Sequence, residues 1–418
     1  MVKRKSQLLE ILYSSGPAAA VLRSAAKSSD RGLANNLRYP FLAIVGQTEM
    51  KLALIMALVN PAVGGVLLIG SRGTAKTTAV RGLLDLMPTV ERSTCEYGCE
   101  PDDLVSFGMD GVCNDCAKKL GMGDSITKPE AMRLVELPLS TRLEDVVGGI
   151  NERVALEQQR VLLDRGILVQ SDQNVLYIDE VNLLENRIID AILDAAAQGQ
   201  YTVRRGPLAA TYRTRLVLVG SMNPEEGALR PQIQDRFGLR VLIRGIQDTT
   251  QRLEVYHRST MYKRKPYKFV QEWLGETEEA AWEISEARKR LTKVTFAPGV
   301  EEEGLRWIKT LKIDSHRAEM TLFEAGRAFA ALDDRLEVNL EDLRSVAPLA
   351  LRQRQTDFAT KYFIAQDEED QEIAKIIKRP KRRSRKKGET KKSVSPKKAS
   401  STNGKRSQAT SEEIETLK

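Results

Sequence analysis

The nine residues GSRGTAKTT at 70–78 constrain the fold of this chain more than any other segment. They follow the phosphate-binding pattern G-x-x-x-x-G-K-[ST], except that Ala75 replaces the second glycine. Gly70 ends the apolar run GVLLIG, and Lys76 begins a helical pattern that continues as AVRGLLDLM. Backbone N–H groups at such a strand-to-helix turn converge on an anion, and the helix dipole adds to the attraction. The segment therefore predicts a nucleotide-phosphate site on a parallel α/β sheet.

Within this loop, Lys76 is expected to reach the β- and γ-phosphates of ATP, and the Thr77 hydroxyl to ligate Mg²⁺. If Ala75 needs a positive φ, an L-residue there costs about 1 kcal/mol, which a folded domain tolerates. We therefore expect a working ATP site. The predicted nucleotide-binding residues are Gly70, Ser71, Arg72, Gly73, Thr74, Ala75, Lys76, Thr77 and Thr78.

Two more buried strands end in polar residues. VLYIDEVN places Asp179 and Glu180 at the end of one strand, and RLVLVGSMN places Asn223 at the end of another. Ligands of parallel sheets bind at the carboxyl ends of strands, so one site could gather all three side chains. Asp179 is expected to hold Mg²⁺, Glu180 to polarise the attacking water, and Asn223 to orient it. The alternatives are a surface acidic pair and a turn-forming Asn before Pro224.

Three arginines are candidates for sensing phosphate charge. RPQIQDRFGL contains Arg230 and Arg236, either of which could act across a subunit boundary on the γ-phosphate. Arg317 opens a helix in the second half of the chain and could reach the nucleotide from there. The alternative for Arg230 and Arg236 is an ordinary surface salt bridge.

The pattern of strands and helices predicts an α/β protein with four parts. We expect an N-terminal extension at 1–36, a nucleotide-binding core at 37–245, a helical domain at 246–365 and a disordered basic tail at 366–418. No convincing strand appears after about residue 246, and Asn339 is a plausible N-cap for the last helix. The apolar run 52–70 is broken by Asn60-Pro61 and Gly64-Gly65, so no membrane span is expected.

The net charge of +8 belongs to the tail and not to the folded body. Residues 378–406 contain fourteen Lys or Arg and one acid, a net of +13, which leaves −5 for the rest of the chain. The tail is either a solubilising extension or a segment that binds an acidic partner. Residues 1–36 are a frayed extension or an organelle transit peptide, so we expect the cytoplasm of a bacterium or, with a transit peptide, the plastid stroma.

The motifs together resemble those of an AAA+ ATPase: a phosphate loop, an Asp-Glu strand end, a sensor Asn, an Arg after it and a helical lid with another Arg. YPFLAIVGQTEMKLAL, GGVLLIGSRGTAKTTAVRGL, LPLSTRLEDVVGGI, VLYIDEVNLLENRIIDAILDAAAQG and LRPQIQDRFGL narrow the resemblance to the ATPase subunit I of magnesium chelatase. It extends from about Tyr39 to Arg354 and implies an AAA+ P-loop parallel-sheet core with a C-terminal all-helical lid. It also implies that Arg236 is the arginine finger and Arg317 the lid sensor.

The resemblance implies partners as well. The expected assembly is a homo-oligomeric ring, a hexamer, that hydrolyses ATP between subunits. A second AAA+-like subunit with an integrin-type domain and a large porphyrin-binding catalytic subunit would complete an enzyme that inserts Mg²⁺ into protoporphyrin IX for chlorophyll synthesis. Residues 198–215 read as a β-hairpin with a break at Gly206-Pro207. Related ATPases carry such a hairpin towards the ring pore, which would place Arg204 and Arg205 near its tip; the alternative is a surface hairpin.

All four cysteines fall in the segment 95–116: Cys95, Cys99, Cys113 and Cys116. The spacing C-x3-C-x13-C-x2-C is similar to that of a structural Zn²⁺ site with four cysteine ligands. A regulatory thiol–disulfide pair and unliganded thiols remain open. The family does not generally need these cysteines for activity, so the resemblance implies a local stabiliser or switch.

Other functions fit parts of the sequence. A motor for insertion of another metal, such as cobalt into a corrin ring, would carry nearly the same motifs. A nucleic-acid-remodelling ATPase would fit the tail, and its DNA binding would survive deletion of 378–418. A chaperone-like adaptor that assembles cofactors is the third alternative.

Overall fold

The computed structural model describes residues 6–13, 37–150, 157, 163–206 and 208–354. All of them lie in one compact unit. The predicted basic tail at 366–418 and Pro207 of the predicted hairpin break lie outside the described residues. The division between core and lid at about residue 245 stays a prediction.

Eleven strands are present in the described part of the chain. They are β1 (Val66–Gly70), β2 (Thr89–Ser93), β3 (Thr127–Ala131), β4 (Leu134–Leu137), β5 (Val175–Ile178), β6 (Gln200–Arg205), β7 (Leu208–Arg213), β8 (Val217–Met222), β9 (Leu239–Ile243), β10 (Thr295–Phe296) and β11 (Glu337–Val338). Five of them form a parallel sheet in the order β4-β5-β8-β1-β9. Ile178 pairs with Gly220, and Ile69 pairs with Met222. The carboxyl ends of the three central strands therefore lie at the same edge of the sheet.

The sheet is covered on both faces because its central strands are apolar at consecutive positions. Val66 and Leu68 of β1 join a core that includes helices of the C-terminal half, whereas Leu67 and Ile69 join a second core on the opposite face. The helices are α1 (Gln7–Tyr13), α2 (Thr48–Val59), α3 (Lys76–Gly82), α4 (Pro101–Phe107), α5 (Asn114–Gly121), α6 (Leu143–Val147), α7 (Ile167–Gln170), α8 (Asn186–Gln198), α9 (Pro231–Arg236), α10 (Thr249–Arg264), α11 (Pro266–Glu272), α12 (Leu274–Leu291), α13 (Val300–Thr310), α14 (Arg317–Leu332) and α15 (Leu340–Leu351).

Most elements expected from the sequence are confirmed. The three buried strands, the hairpin of β6 and β7, and the N-cap are present; Asn339 Oδ1 accepts a hydrogen bond from the backbone of Asp342 at 3.0 Å. The lid is not wholly helical, because β10 and β11 form a short parallel pair. The apolar run 52–70 splits into α2 and β1 as expected. Among the described residues, no helix has the length and apolarity needed to cross a membrane.

The expectation of a frayed N-terminal extension is wrong for residues 6–13. Leu8, Leu9 and Leu12 of α1 are buried against α2 and α12. The backbone N–H of Leu8 donates to Glu283 on α12 at 3.1 Å, and the Thr48 hydroxyl of α2 donates to the Leu12 carbonyl at 3.2 Å. This helix therefore joins the nucleotide-binding half to the helical half.

We expect Leu9→Ala to lower the free energy of unfolding by about 2–5 kcal/mol, because it removes a fully buried side chain from this junction. Glu10→Ala on the exposed side of the same helix is the matched control and should change stability little. Urea unfolding of both variants measures the difference. Equal effects of the two substitutions would contradict the packing of α1.

Lys51 on α2 is a buried lysine that should make stability depend on pH. Burial, followed by repulsion from Arg258, lowers the pKa of Lys51 to about 8. Because the unfolded chain binds more protons between this pKa and the ordinary value of 10.5, stability should rise as the pH rises through that window. We therefore expect Lys51→Met to stabilise the protein by up to about 3 kcal/mol near neutral pH. The gain should shrink towards about pH 10 in urea unfolding; a gain that is constant with pH would contradict the assignment.

Candidate functional site

The predicted phosphate loop lies between β1 and α3, as its pattern requires. Ala75 has φ 68° and ψ 20°, and Gly73 has φ 76°, so both adopt the left-handed conformation. Ala75 therefore carries the backbone cost expected for an L-residue at this position. The Lys76 ammonium donates to the carbonyls of Gly70 and, at 2.8 Å, Ser71. Burial lowers the pKa of Lys76, and nearby carboxylates, first Asp179, oppose this shift.

The loop contacts the acidic end of β5 directly. Thr77 Oγ1 donates to Asp179 Oδ2 at 3.2 Å, which brings together the two predicted Mg²⁺ ligands. Hydroxyl and carboxylate oxygens form a donor set that suits this hard cation. The structure thus joins the loop and the strand end into one site, which fits a magnesium–nucleotide complex.

Tyr177 and Ser221 support Asp179, and both were missed in the sequence. The Tyr177 hydroxyl donates to Asp179 Oδ1 at 2.8 Å, and the Ser221 hydroxyl donates to the same oxygen at 2.5 Å. Ser221 also accepts the backbone N–H of Glu180 at 3.1 Å. Each lies two residues before a predicted site residue, on the same face of its strand. Period-two spacing back from Asp179 and Asn223 is the signal that could have found them.

Glu180 follows Asp179 in a left-handed conformation with φ 55°. Its carboxylate lies 4.0 Å from the Arg72 guanidinium of the phosphate loop. Burial is the largest cause that raises the pKa of Glu180, the neighbouring Glu226 carboxylate raises it further, and Arg72 opposes both. Glu180 is thus placed beside the phosphate loop, in surroundings that raise the pKa of its carboxyl.

Asn223 lies at the end of β8, and its side chain is bonded within its own turn. Asn223 Oδ1 accepts the backbone N–H of Glu225 at 3.3 Å, and Asn223 Nδ2 donates to Glu226 Oε1 at 3.1 Å. Glu226 also forms a close ion pair with Arg72. Asn223 therefore stabilises its own turn, as the alternative interpretation expected. Through Glu226 and Arg72 it is also linked to the phosphate loop. Glu226 was not among the residues predicted from the sequence.

A cleft of about 950 Å³ opens beside the phosphate loop. Gly73, Ala75 and Thr78 line it from the phosphate loop, and apolar, aromatic, basic and polar side chains line the rest. Its volume is within the usual range for a small-molecule site, about 300–1,000 Å³. The side chains opposite the loop include Val45, Ile246, Tyr256 and Tyr262.

The two arginines of the RPQIQDRFGL segment form ion pairs with aspartates of α8. Arg230 pairs with Asp190 at 3.3 Å, and Arg236 forms a close ion pair with Asp194. These are the salt bridges of the alternative interpretation. Among the described residues, no hydrogen bond or ion pair joins Arg230 or Arg236 to the phosphate loop, and a role across a subunit boundary stays a prediction.

Arg317 is bound to Asp235, the residue before Arg236. Arg317 donates to Asp235 Oδ2 at 3.2 Å, and the buried Arg354 donates to Asp235 Oδ1 at 2.8 Å. Burial acts to raise the pKa of Asp235, but hydrogen bonding from Ser315 and the charge of Arg354 outweigh it, and the net shift is downward. Asp235 therefore ties the segment with the predicted finger to the helical domain.

The four cysteines form one cluster in an insert between β2 and β3. Their Sγ atoms all lie within 4.8 Å of one another. The backbone N–H of Cys99 donates to Cys95 Sγ at 3.4 Å, and that of Cys113 donates to Cys99 Sγ at 3.3 Å. Burial acts to raise the pKa of Cys95, but hydrogen bonds from Ser93 and Cys99 lower it to about 7. Burial is the largest cause that raises the pKa of Cys99 to about 11.

The chain is similar to a family model, to curated proteins and to a solved structure. The family model of the AAA lid domain matches residues 309–376. The magnesium-chelatase subunit ChlI homolog of Methanocaldococcus jannaschii is 39% identical over 317 residues, which are 76% of this chain and 85% of that protein. The magnesium-chelatase 38 kDa subunit of Chlorobaculum parvum is 37% identical over 344 residues, which are 82% of this chain and 98% of that protein. A solved complex between subunits BchI and BchD of magnesium chelatase is similar at 37% identity and a TM-score of 0.42, over 76% of this chain and 96% of that one.

The parallel sheet, the phosphate loop with its acidic neighbour and the helical lid define an ATPase of the AAA+ class. The two magnesium-chelatase relatives are more than a third identical to this chain over most of both sequences, which identifies the family within that class. The chain belongs to the family of magnesium-chelatase ChlI subunits, as the resemblance of its motifs indicated.

Proposed function

We propose that this chain binds and hydrolyses ATP at the site built from the phosphate loop, Asp179, Glu180 and Asn223. The observation that carries the proposal is the 3.2 Å hydrogen bond from Thr77 to Asp179, which joins the loop to the acidic strand end. The phosphates would occupy the loop, with Lys76 as their cationic partner, and the nucleobase would occupy the adjacent cleft. Thr77 and Asp179 would hold Mg²⁺, which neutralises phosphate charge when bound.

The remaining residues act on water and on charge in this proposal. Glu180 polarises the attacking water, and Asn223 orients it. Arg236 acts on the nucleotide of a neighbouring subunit, and Arg317 senses the phosphates from the lid. Asp235 contacts Arg317 and precedes Arg236, so it would link the two arginines.

We further propose that ATP hydrolysis by this chain drives insertion of Mg²⁺ into protoporphyrin IX on the route to chlorophylls. The names of its relatives as magnesium-chelatase subunits support this proposal. The chain would act as a homo-oligomeric ring, a hexamer, with two partners: an AAA+-like subunit with an integrin-type domain and the large porphyrin-binding catalytic subunit. An acidic partner for the basic tail stays a prediction.

Reconstitution tests this function. The full chain is mixed with the other two chelatase subunits, MgATP and protoporphyrin, and Mg-protoporphyrin is measured by fluorescence. The Lys76→Ala variant is the control, because loss of the phosphate cation should abolish nucleotide binding and product together. Product with the large subunit of a cobalt enzyme, and none with that of magnesium chelatase, would transfer the proposal to corrin synthesis.

We propose that the four cysteines bind a structural Zn²⁺. With Zn–S bonds of about 2.3 Å, sulfurs at the corners of a tetrahedron are about 3.8 Å apart, which the observed cluster approaches. Backbone N–H donors to Cys95 and Cys99 provide hydrogen bonds that orient such ligands. A metal would also add to the small hydrophobic cluster of the insert, whose buried members are Cys99, Val112, Cys116 and Ile126.

Metal analysis of untagged protein is expected to give about one zinc per chain. Cys116→Ser should lower the zinc content and make the insert more sensitive to protease, because the metal would tie the two halves of the insert together. Less than about a tenth of an equivalent in the wild type would reject zinc. If the intact protein under non-reducing conditions then weighed two hydrogen atoms less than the reduced protein, a disulfide would be favoured.

A further inference from the structure

Arg72 connects the phosphate loop to two carboxylates. Its guanidinium forms a close ion pair with Glu226 Oε1 and lies 4.0 Å from Glu180 Oε1. The Arg72 side chain is 75% exposed, whereas the Glu226 side chain is only 16% exposed. The arginine is therefore free to change its partner, while Glu226 is held in place by its surroundings.

Glu226 also occupies the donor group of Asn223. Asn223 Nδ2 donates to the same Glu226 Oε1 at 3.1 Å, and Asn223 Oδ1 accepts from the backbone of Glu225. Both polar atoms of the Asn223 side chain are thus engaged within its own turn. One of the two N–H donors of the Asn223 amide is thus bonded to Glu226, which fixes the direction of the amide within the turn.

The second oxygen of Glu226 is buried. Among the described residues, Glu226 Oε2 has no hydrogen-bond partner. The carboxylate therefore depends on Arg72 and Asn223 through its other oxygen, and moving either of them leaves a poorly compensated charge. Arg72, Asn223 and Glu226 therefore form a triad in which Glu226 Oε1 contacts both other side chains. Loss of either contact would leave the Glu226 carboxylate with one partner.

A terminal phosphate in the loop would compete for both partners of Glu226. Its negative charge attracts the Arg72 guanidinium and the Asn223 amide, and it repels the Glu226 carboxylate. ADP lacks this phosphate and leaves the triad in place.

We propose that Glu226 is a positioning residue that holds Arg72 and Asn223 away from the nucleotide until the γ-phosphate of ATP displaces it. This inference rests on the proposed ATPase function. It deepens that function by giving the site a means to distinguish ATP from ADP.

Dissociation constants of a non-hydrolysable MgATP analogue and of MgADP test the proposal, at one protein concentration. Glu226→Gln keeps the shape and removes the charge, so the ATP analogue should bind about fivefold more tightly and ADP within about twofold of the wild type. The KM for ATP should fall by a factor similar to that for the analogue's dissociation constant, because the triad opens before chemistry. Glu225→Gln, on the exposed neighbour, is the matched control and should change none of these constants.

A double-mutant cycle assigns the effect to the triad. In an Arg72→Ala background the gain from Glu226→Gln should shrink, because the ion pair that competes with ATP is already absent. Equal changes in ATP and ADP affinity, no change in either, or a lower kcat at constant KM would each overturn the proposal. A wild-type chain that fails to bind the ATP analogue would instead reject the ATPase function itself.

Discussion

Replacing Glu180 with Gln is expected to leave MgATP binding within about threefold of the wild type and to lower the rate of ATP hydrolysis by about 10²- to 10⁴-fold. The amide retains the size of the carboxylate but cannot take up a proton from the attacking water. Binding should persist because the proposed phosphate contacts come from the loop and from Lys76, which the substitution does not alter. Nucleotide titration and steady-state phosphate release measure the two quantities separately.

Glu185→Gln is the matched control for this variant. Glu185 follows in the same segment, is exposed, and pairs only loosely with Arg187 at 3.5 Å. Its substitution should leave hydrolysis unchanged. Normal hydrolysis by Glu180→Gln would remove Glu180 from the role of polarising the water, and loss of binding would show that it supports the loop instead.

Arg236→Ala is expected to form the same oligomer as the wild type and to lose about 10³- to 10⁵-fold in turnover, the usual contribution of an arginine that acts in trans on a γ-phosphate. Arg230→Ala is the matched control, because both arginines pair with aspartates of α8. Sedimentation tests assembly, and ATPase assays test turnover. If Arg230→Ala lost turnover and Arg236→Ala did not, the finger would be Arg230.

Mixing two inactive variants provides a sharper test of action in trans. Lys76→Ala subunits would retain Arg236 but lose the proposed nucleotide site, whereas Arg236→Ala subunits would retain that site. A mixed ring would contain interfaces that combine an intact site with an intact arginine, so ATPase activity should partly return. An absence of recovery in rings shown to be mixed would place the action of Arg236 within its own chain.

The central strands and the order of the site residues could be predicted because their signals are local. GVLLIG, VLYID and RLVLVGSMN are short apolar runs typical of buried strands between helices, and the last two end in a polar residue. β4 and β9 were missed. LVEL is too short and too polar to stand out, and Arg240 interrupts LRVLI. Arg240 is buried because it donates to the carbonyls of Arg352 and Gln353, which lie more than a hundred positions later in the chain.

The sequence by itself determined the phosphate loop, the strand ends that face it, the Asn339 cap and the family, because spacing along the chain encodes each of them. Only the tertiary structure decided which side chains meet. It packed α1 against two halves of the protein, brought the four sulfurs together, and placed Glu226 between Arg72 and Asn223. The contacts of α1 and of Arg72 join segments distant in sequence, and their partners depend on how the strands order in the sheet, which no local pattern specifies.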